Sequence, residues 1–207
     1  MDDTVIFASR DYCLCLLLLV FARGMDFLST WIATPNLVLE GNPLAKKLGW
    51  RWGLVLNVVL CVALAAWPLS AIVVATASVL VAARNFQSAW LMHSLGEEIY
   101  RQWHVERVRE TRITLYLLCL AGNTLLTAGV GAALIYSSRL WLLIPFAIGM
   151  GMVAYAIAVA FFTLLAIWRI RRAAKKLEAL QNSPANGKRM PADTWVHVEN
   201  HSPDKII

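Results

Sequence analysis

The sequence predicts an all-α integral membrane protein, a helical bundle of about five transmembrane helices with the N-terminus outside and the C-terminus in the cytoplasm. Of its 207 residues, 59% are hydrophobic and only 15% are charged. The mean hydropathy of +0.60 exceeds what an ordinary soluble domain carries. Several stretches of roughly 20 residues run almost without charge, the length that a bilayer core requires. The composition therefore argues against a soluble globular domain.

Five apolar stretches are separated by turn signals. Pro35 ends the first, because proline disfavours helical geometry in the residue before it. Residues 67–69 form the tip of a tight hairpin, and residues 137–139 form a second short turn. The predicted spans are residues 12–34, 52–68, 71–92, 113–136 and 140–168. They form one membrane domain, residues 1–182, and the Ser-, Pro-, Asn- and Gly-rich residues 183–207 predict a flexible cytoplasmic tail.

The distribution of Lys and Arg predicts the orientation. One lies before the first span, and the four loops carry three, none, four and one, while the tail carries eight, beginning at Arg169. By the positive-inside rule the first loop, the third loop and the tail are cytoplasmic, and five spans make every loop agree. The net charge of +6 is explained by this pattern, so we expect no nucleic-acid partner.

Two predicted cytoplasmic segments are helix-prone. In residues 94–112, Leu95, Ile99 and Trp103 recur every four residues, and Glu97 and Arg101 are spaced for an ion pair. This segment predicts an extension of the third helix or an interfacial helix. Residues 169–181 are basic and suit a helix that continues across an anionic inner leaflet.

The first span carries polar residues that lipid should exclude. Arg23, Asp26 and Thr30 follow at spacings of three and four, which places them on one helical face. Two interpretations are open: a buried ion pair that holds this helix to its neighbours, or a functional site. Isolated asparagines in other spans, such as Asn57 and Asn123, predict interhelical hydrogen bonds.

The third span is apolar in its first half and polar in its second, which carries Arg84, Asn85 and His93 and is followed by Glu97. Because the first and third spans both run inward, their polar groups are expected to meet at the same depth near the cytoplasmic leaflet. The alternative for Arg84 and His93 is snorkelling to inner headgroups. His93 and Glu97 at i,i+4 could present two metal ligands, but no strong metal spacing is present, and we expect no metal and no cofactor.

The segment Asp26, Thr30, Glu40, Asn42 and Pro43-Leu44 fits the pattern D-x-x-x-T-x9-E-x-N-P-L. This pattern resembles a family of small bacterial multi-pass membrane proteins classed as a domain of unknown function. The resemblance covers residues from about Tyr12 to Leu69, under a third of the chain, and implies a bacterial cytoplasmic (inner) membrane location. It also implies that the four polar residues act together, whereas Glu40-Gly41-Asn42-Pro43 taken alone favours a plain turn, because Asn-Pro and Gly both favour turns.

Three functions remain open from the sequence. The first is a structural protein, or one that interacts with membrane lipids, a protein partner or a second copy. The second is a small ion-coupled transporter, and the third is a membrane enzyme acting on a lipid headgroup, so enzymatic activity is undecided. Small residues at Gly149 and Gly151 predict helix packing in the fifth span. The candidate residues are Arg23, Asp26, Thr30, Glu40, Asn42, Arg84, Asn85, His93 and Glu97.

Overall fold

The computed structural model describes residues 4–37, 43–138 and 143–181, and it is built from helices. The predicted all-α class is confirmed, and five helices within these residues are long and apolar enough to cross a membrane, so the chain is an integral membrane protein. The predicted tail, residues 183–207, lies outside the described residues. The helices are α1 (Arg10–Ala33), α2 (Pro43–Leu64), α3 (Pro68–Leu95), α4 (Glu97–Glu110), α5 (Ile113–Ser137) and α6 (Leu143–Gln181).

The helix ends follow local chemistry. Ser9 caps α1, since its side-chain oxygen accepts a hydrogen bond from the Tyr12 amide at 3.3 Å. Helix α2 is interrupted at Gly49, whose φ of 64° is a left-handed conformation that favours glycine. Helix α3 begins at Pro68, three residues before the predicted start, because the first helical position needs no amide donor.

The five long helices pack in the order α2, α1, α3, α6, α5. Helix α1 packs mainly on α3, α3 also packs on α6, and α6 packs on α5, while α2 contacts α1 and α3 more sparsely. Only 6% of the most apolar stretch of α2 is buried, and the same fraction holds for α5. These two outer helices therefore present most of their surface to lipid.

Glycines allow the closest helix crossings, as the sequence predicted for Gly149 and Gly151. A Cβ atom added at Gly149 would lie 2.6 Å from the carbonyl oxygen of Gly131 in α5. One added at Gly151 would lie 2.7 Å from the carbonyl oxygen of Val73 in α3. Small residues at these points let the backbones of α5 and α3 approach α6 closely. Close packing of this kind stabilises the bundle, because lipid provides no hydrophobic driving force between apolar helices.

At the predicted outer end of the bundle, α1, α2 and α3 meet through an apolar core. The Tyr12 hydroxyl donates to the Val62 carbonyl at 3.0 Å, and the Val5 amide donates to the Ala66 carbonyl at 2.9 Å. These contacts hold α1 and its preceding segment against the end of α2. The polar contacts of Arg23 lie further along α1. The buried members of this core are Tyr12, Leu19, Ala22, Cys61, Ala65, Ala71 and Ala75.

Helix α4 is a separate helix rather than a continuous extension of α3. Gly96, with a φ of 79°, breaks the chain direction between them. Arg101 pairs with Glu98 at 3.2 Å, one turn earlier. Glu97, the pairing residue that the spacing predicted for Arg101, instead accepts hydrogen bonds from the end of α1.

Candidate functional site

Arg23 joins the first three helices through a polar cluster, the Arg23 network, formed by Arg23, Asp26, Asn57 and Ser78. Its Nη1 lies 2.9 Å from the Asp26 carboxylate, so the ion pair that the i,i+3 spacing predicts within α1 is present. The same nitrogen donates to the Ser78 hydroxyl of α3 at 3.3 Å. Nε donates to Oδ1 of Asn57 in α2 at 2.7 Å, and Nη2 donates to that oxygen as well. Every nitrogen of the guanidinium therefore has an acceptor.

Local geometry orients Asn57 toward Arg23. Its Nδ2 donates to the carbonyl of Gly53 one turn earlier at 2.8 Å. The amide end is thus satisfied within α2, which leaves Oδ1 to accept from the guanidinium. The predicted role of Asn57 as an interhelical hydrogen-bond partner is confirmed. The side chains of Arg23 and Asp26 are 29% and 18% exposed, so this ion pair is mostly buried.

A second contact joins α1 to α3 one turn further on. The hydroxyls of Ser29 and Thr30 both donate to the Asp26 carbonyl, at 2.8 and 2.9 Å. Their oxygens accept from Nδ2 of Asn85, at 3.4 and 3.3 Å. Ser29 is fully buried. Two of the candidate residues, Thr30 and Asn85, are therefore brought together at the α1–α3 interface.

Glu97 ties the end of α1 to the start of α4. Its carboxylate accepts from the Thr34 hydroxyl at 2.9 Å and from the Asn36 amide at 2.8 Å. On the α2 side, Nε1 of Trp50 donates to the Pro35 carbonyl at 2.8 Å. The segment that follows α1 is therefore held from both sides by side chains of other helices.

The remaining candidate residues lie apart from the Arg23 network. Arg84 is exposed and lines a groove of about 790 Å³ whose lining residues come from α3, α5 and α6. His93 is exposed as well and lines a small cavity of about 180 Å³ together with Glu97. Glu40 and Asn42 lie outside the described residues. Asn123, predicted as an interhelical hydrogen-bond partner, lies in the groove beside Arg84.

Outside the spans, the described groups with a clearly shifted pKa are Tyr100 and His104, and both lie on α4. Burial lowers the pKa of His104 from its ordinary value of 6.5. Burial also raises the pKa of Tyr100, with a smaller contribution from Tyr116. The rings of Tyr100 and His104 stack with their centroids 6.0 Å apart. Among the described residues, no group of three or more His, Cys, Asp or Glu side chains could hold a metal ion.

Comparison with known proteins identifies no relative. No family model matches the chain, and no curated protein or solved structure matches it at a significant level. The resemblance carried by Asp26, Thr30, Glu40 and Asn42 therefore stays a prediction.

The sequence did not indicate Ser78, which completes the Arg23 network from α3. It is a single hydroxyl in an apolar stretch, and such residues are common in spanning helices. One signal could have found it: Ser78 and Asn85 are seven residues apart, two helical turns, and thus share a face of α3. Both contact α1.

Proposed function

We propose that this chain is a structural or interaction protein of a bacterial cytoplasmic membrane. In this proposal the Arg23 network holds α1, α2 and α3 in register, and basic segments at the predicted cytoplasmic end contact anionic lipid or a protein partner. The observation that supports it most directly is that the Arg23 guanidinium donates hydrogen bonds from all of its nitrogens, to acceptors on α1, α2 and α3.

The energetics of charge in a membrane support a structural role. A charged side chain within hydrocarbon is costly unless protein groups or water receive it. Asp26 neutralises Arg23, and Asn57 and Ser78 accept the remaining hydrogen bonds. A transporter that bound a cation at Asp26 would have to break this ion pair in each cycle, which favours the structural role over transport.

The basic residues support the interaction with lipid or a partner. The end of α6 carries Arg169, Arg171, Arg172 and Lys175. The Arg172 guanidinium lies 5.1 Å from the centroid of the Trp168 ring, an arrangement that suits a membrane boundary. A cluster of this kind attracts an anionic surface by about 1 kcal/mol per basic residue.

The test separates assembly from transport in one set of variants. Asp26→Asn is compared with Asp11→Asn, which alters an exposed carboxylate at the start of the same helix. We expect Asp26→Asn to lower the fraction of protein that elutes as a folded species in detergent and Asp11→Asn to leave it unchanged. Sodium and proton flux is then measured in proteoliposomes of the wild type and both variants. A wild-type flux that Asp26→Asn abolishes without reducing assembly would overturn the proposal in favour of transport.

A further inference from the structure

A polar groove lies within the membrane-spanning part of the bundle, on the opposite side of α3 from the Arg23 network. Arg84 is its only charged lining residue, and the Arg84 side chain makes no hydrogen bond or ion pair with the described residues. The groove is bordered by α3, α5 and α6 and has a volume of about 790 Å³. We call it the Arg84 groove, and its lining residues are Leu80, Ala83, Arg84, Phe86, Gln87, Asn123, Thr127 and Tyr155.

The groove lies in the half of the bundle nearer the predicted cytoplasmic side. Arg84 lies 16 residues after Pro68, the predicted outer end of α3, which corresponds to roughly 24 Å along that helix. Asn123 lies 10 residues after Ile113, the predicted cytoplasmic end of α5, which corresponds to roughly 15 Å. A guanidinium at this depth requires an anion or water as its partner.

The described residues of this chain place no carboxylate in the lining of the groove. The five membrane-spanning stretches of the described chain, the last of which ends at Lys175, carry two carboxylates, Asp11 and Asp26. Asp11 lies at the far end of α1, and Asp26 already pairs with Arg23. A second copy packed on this face would thus bring another Arg84 but no available span carboxylate. The charge of the groove therefore favours an anionic ligand over a dimer contact.

The other lining residues suggest the class of ligand. Gln87 and Asn123 are neutral amides that can donate to an anion beside the guanidinium, and they add no competing negative charge. Leu80, Ala83 and Phe86 give the same groove an apolar part. One cation, neutral donors and an adjoining apolar surface suit an amphiphile, and the volume lies within the range of roughly 300–1,000 Å³ typical of ligand sites.

We propose that the Arg84 groove binds one anionic phospholipid, with the phosphate at Arg84 and the Gln87 and Asn123 amides, and the acyl chains along the apolar part. This inference rests on the lipid-interacting part of the proposed function and names the lipid class. Arginine is suited to the task because its planar guanidinium can donate two parallel hydrogen bonds to phosphate oxygens.

The experiment uses the full-length protein in detergent micelles and native mass spectrometry. Phosphatidylglycerol and phosphatidylcholine with identical acyl chains serve as probes. We expect tighter binding of one phosphatidylglycerol, and about a tenfold loss of that affinity in Arg84→Gln. The control Arg51→Gln removes another exposed positive charge and should retain the preference. Equal losses in both variants, or an unchanged preference in Arg84→Gln, would overturn the proposal.

Two further variants distinguish a bound lipid from an arginine that merely reaches headgroups around the bundle. Asn123→Leu removes an amide donor, and Ala83→Trp fills the groove while keeping Arg84. Both should weaken phosphatidylglycerol binding severalfold, whereas a snorkelling arginine would need neither side chain. Unchanged binding in both would contradict the groove. If these variants bind normally while Asp26→Asn still fails to assemble, the lipid site is wrong and the structural proposal stands.

Discussion

Replacing Gly149 by alanine should force α5 and α6 apart. The added Cβ would lie 2.6 Å from the Gly131 carbonyl oxygen and 2.9 Å from Cγ1 of Ile135, whereas ordinary van der Waals contact is 3.4–4 Å. Because the nearest atom belongs to backbone, a side-chain rotation cannot relieve the clash, and the helices must separate by roughly 1 Å. Overpacking of this kind costs about 1–3 kcal/mol.

Gly129 provides the matched control on α5, since a Cβ there meets no atom within 4 Å. Gly129→Ala should be neutral or stabilising by up to about 1 kcal/mol, because alanine favours helix more than glycine does. The free energy of unfolding is measured by titrating sodium dodecyl sulfate into mixed micelles. Equal unfolding free energies for the Gly149 and Gly129 variants would refute the close crossing.

Two further predictions concern α4 and its contact with α1. Glu97→Gln removes the charge that accepts from Thr34 and Asn36, so it should lower the unfolding free energy by about 1–2 kcal/mol. Glu98→Gln, which alters a more exposed pair with Arg101, should cost less than about 1 kcal/mol, and equal costs would contradict this account. Burial lowers the pKa of His104 below 6.5, so the unfolded chain binds more protons as the pH falls below 6.5. Stability should therefore decrease on acidification from pH 7.5 to 5.5, and His104→Gln should remove that decrease; an identical pH dependence in the variant would contradict it.

The five spans could be predicted from the sequence because hydropathy is a local property. Each span is recognised from its own residues, and Pro35, Pro68 and Ser137 mark three of the boundaries. The neighbours of each helix could not be predicted in this way, since a helix that is apolar all round shows no preferred face. The order α2, α1, α3, α6, α5 emerges only in the folded bundle. The sequence left open whether residues 94–112 extend α3 or form a helix of their own, because a lone glycine such as Gly96 is tolerated within helices as well as between them.

The candidate site was predictable only where its contacts lie within one helix. Arg23 and Asp26 lie one turn apart on one helix, so their contact follows from spacing alone. The sequence predicts one polar cluster that contains both Arg84 and Asn85, but consecutive helical residues point about 100° apart. Asn85 faces α1, and Arg84 accordingly lies in the groove toward α5 and α6. The direction of the Arg84 side chain could be assigned only once the structure showed that Ser78 and Asn85 both face α1.

Within the membrane, protein groups receive the Arg23 charge, and Asp26 is the most important of them. A double-mutant cycle with Arg23→Gln and Asp26→Asn, read as unfolding free energies in mixed micelles, tests this pairing most directly. We predict that each single variant is destabilised because it leaves a partner charge unpaired, and that the double variant loses less than the two single losses together, with a coupling of about 1 kcal/mol. Losses that simply add would contradict the claim.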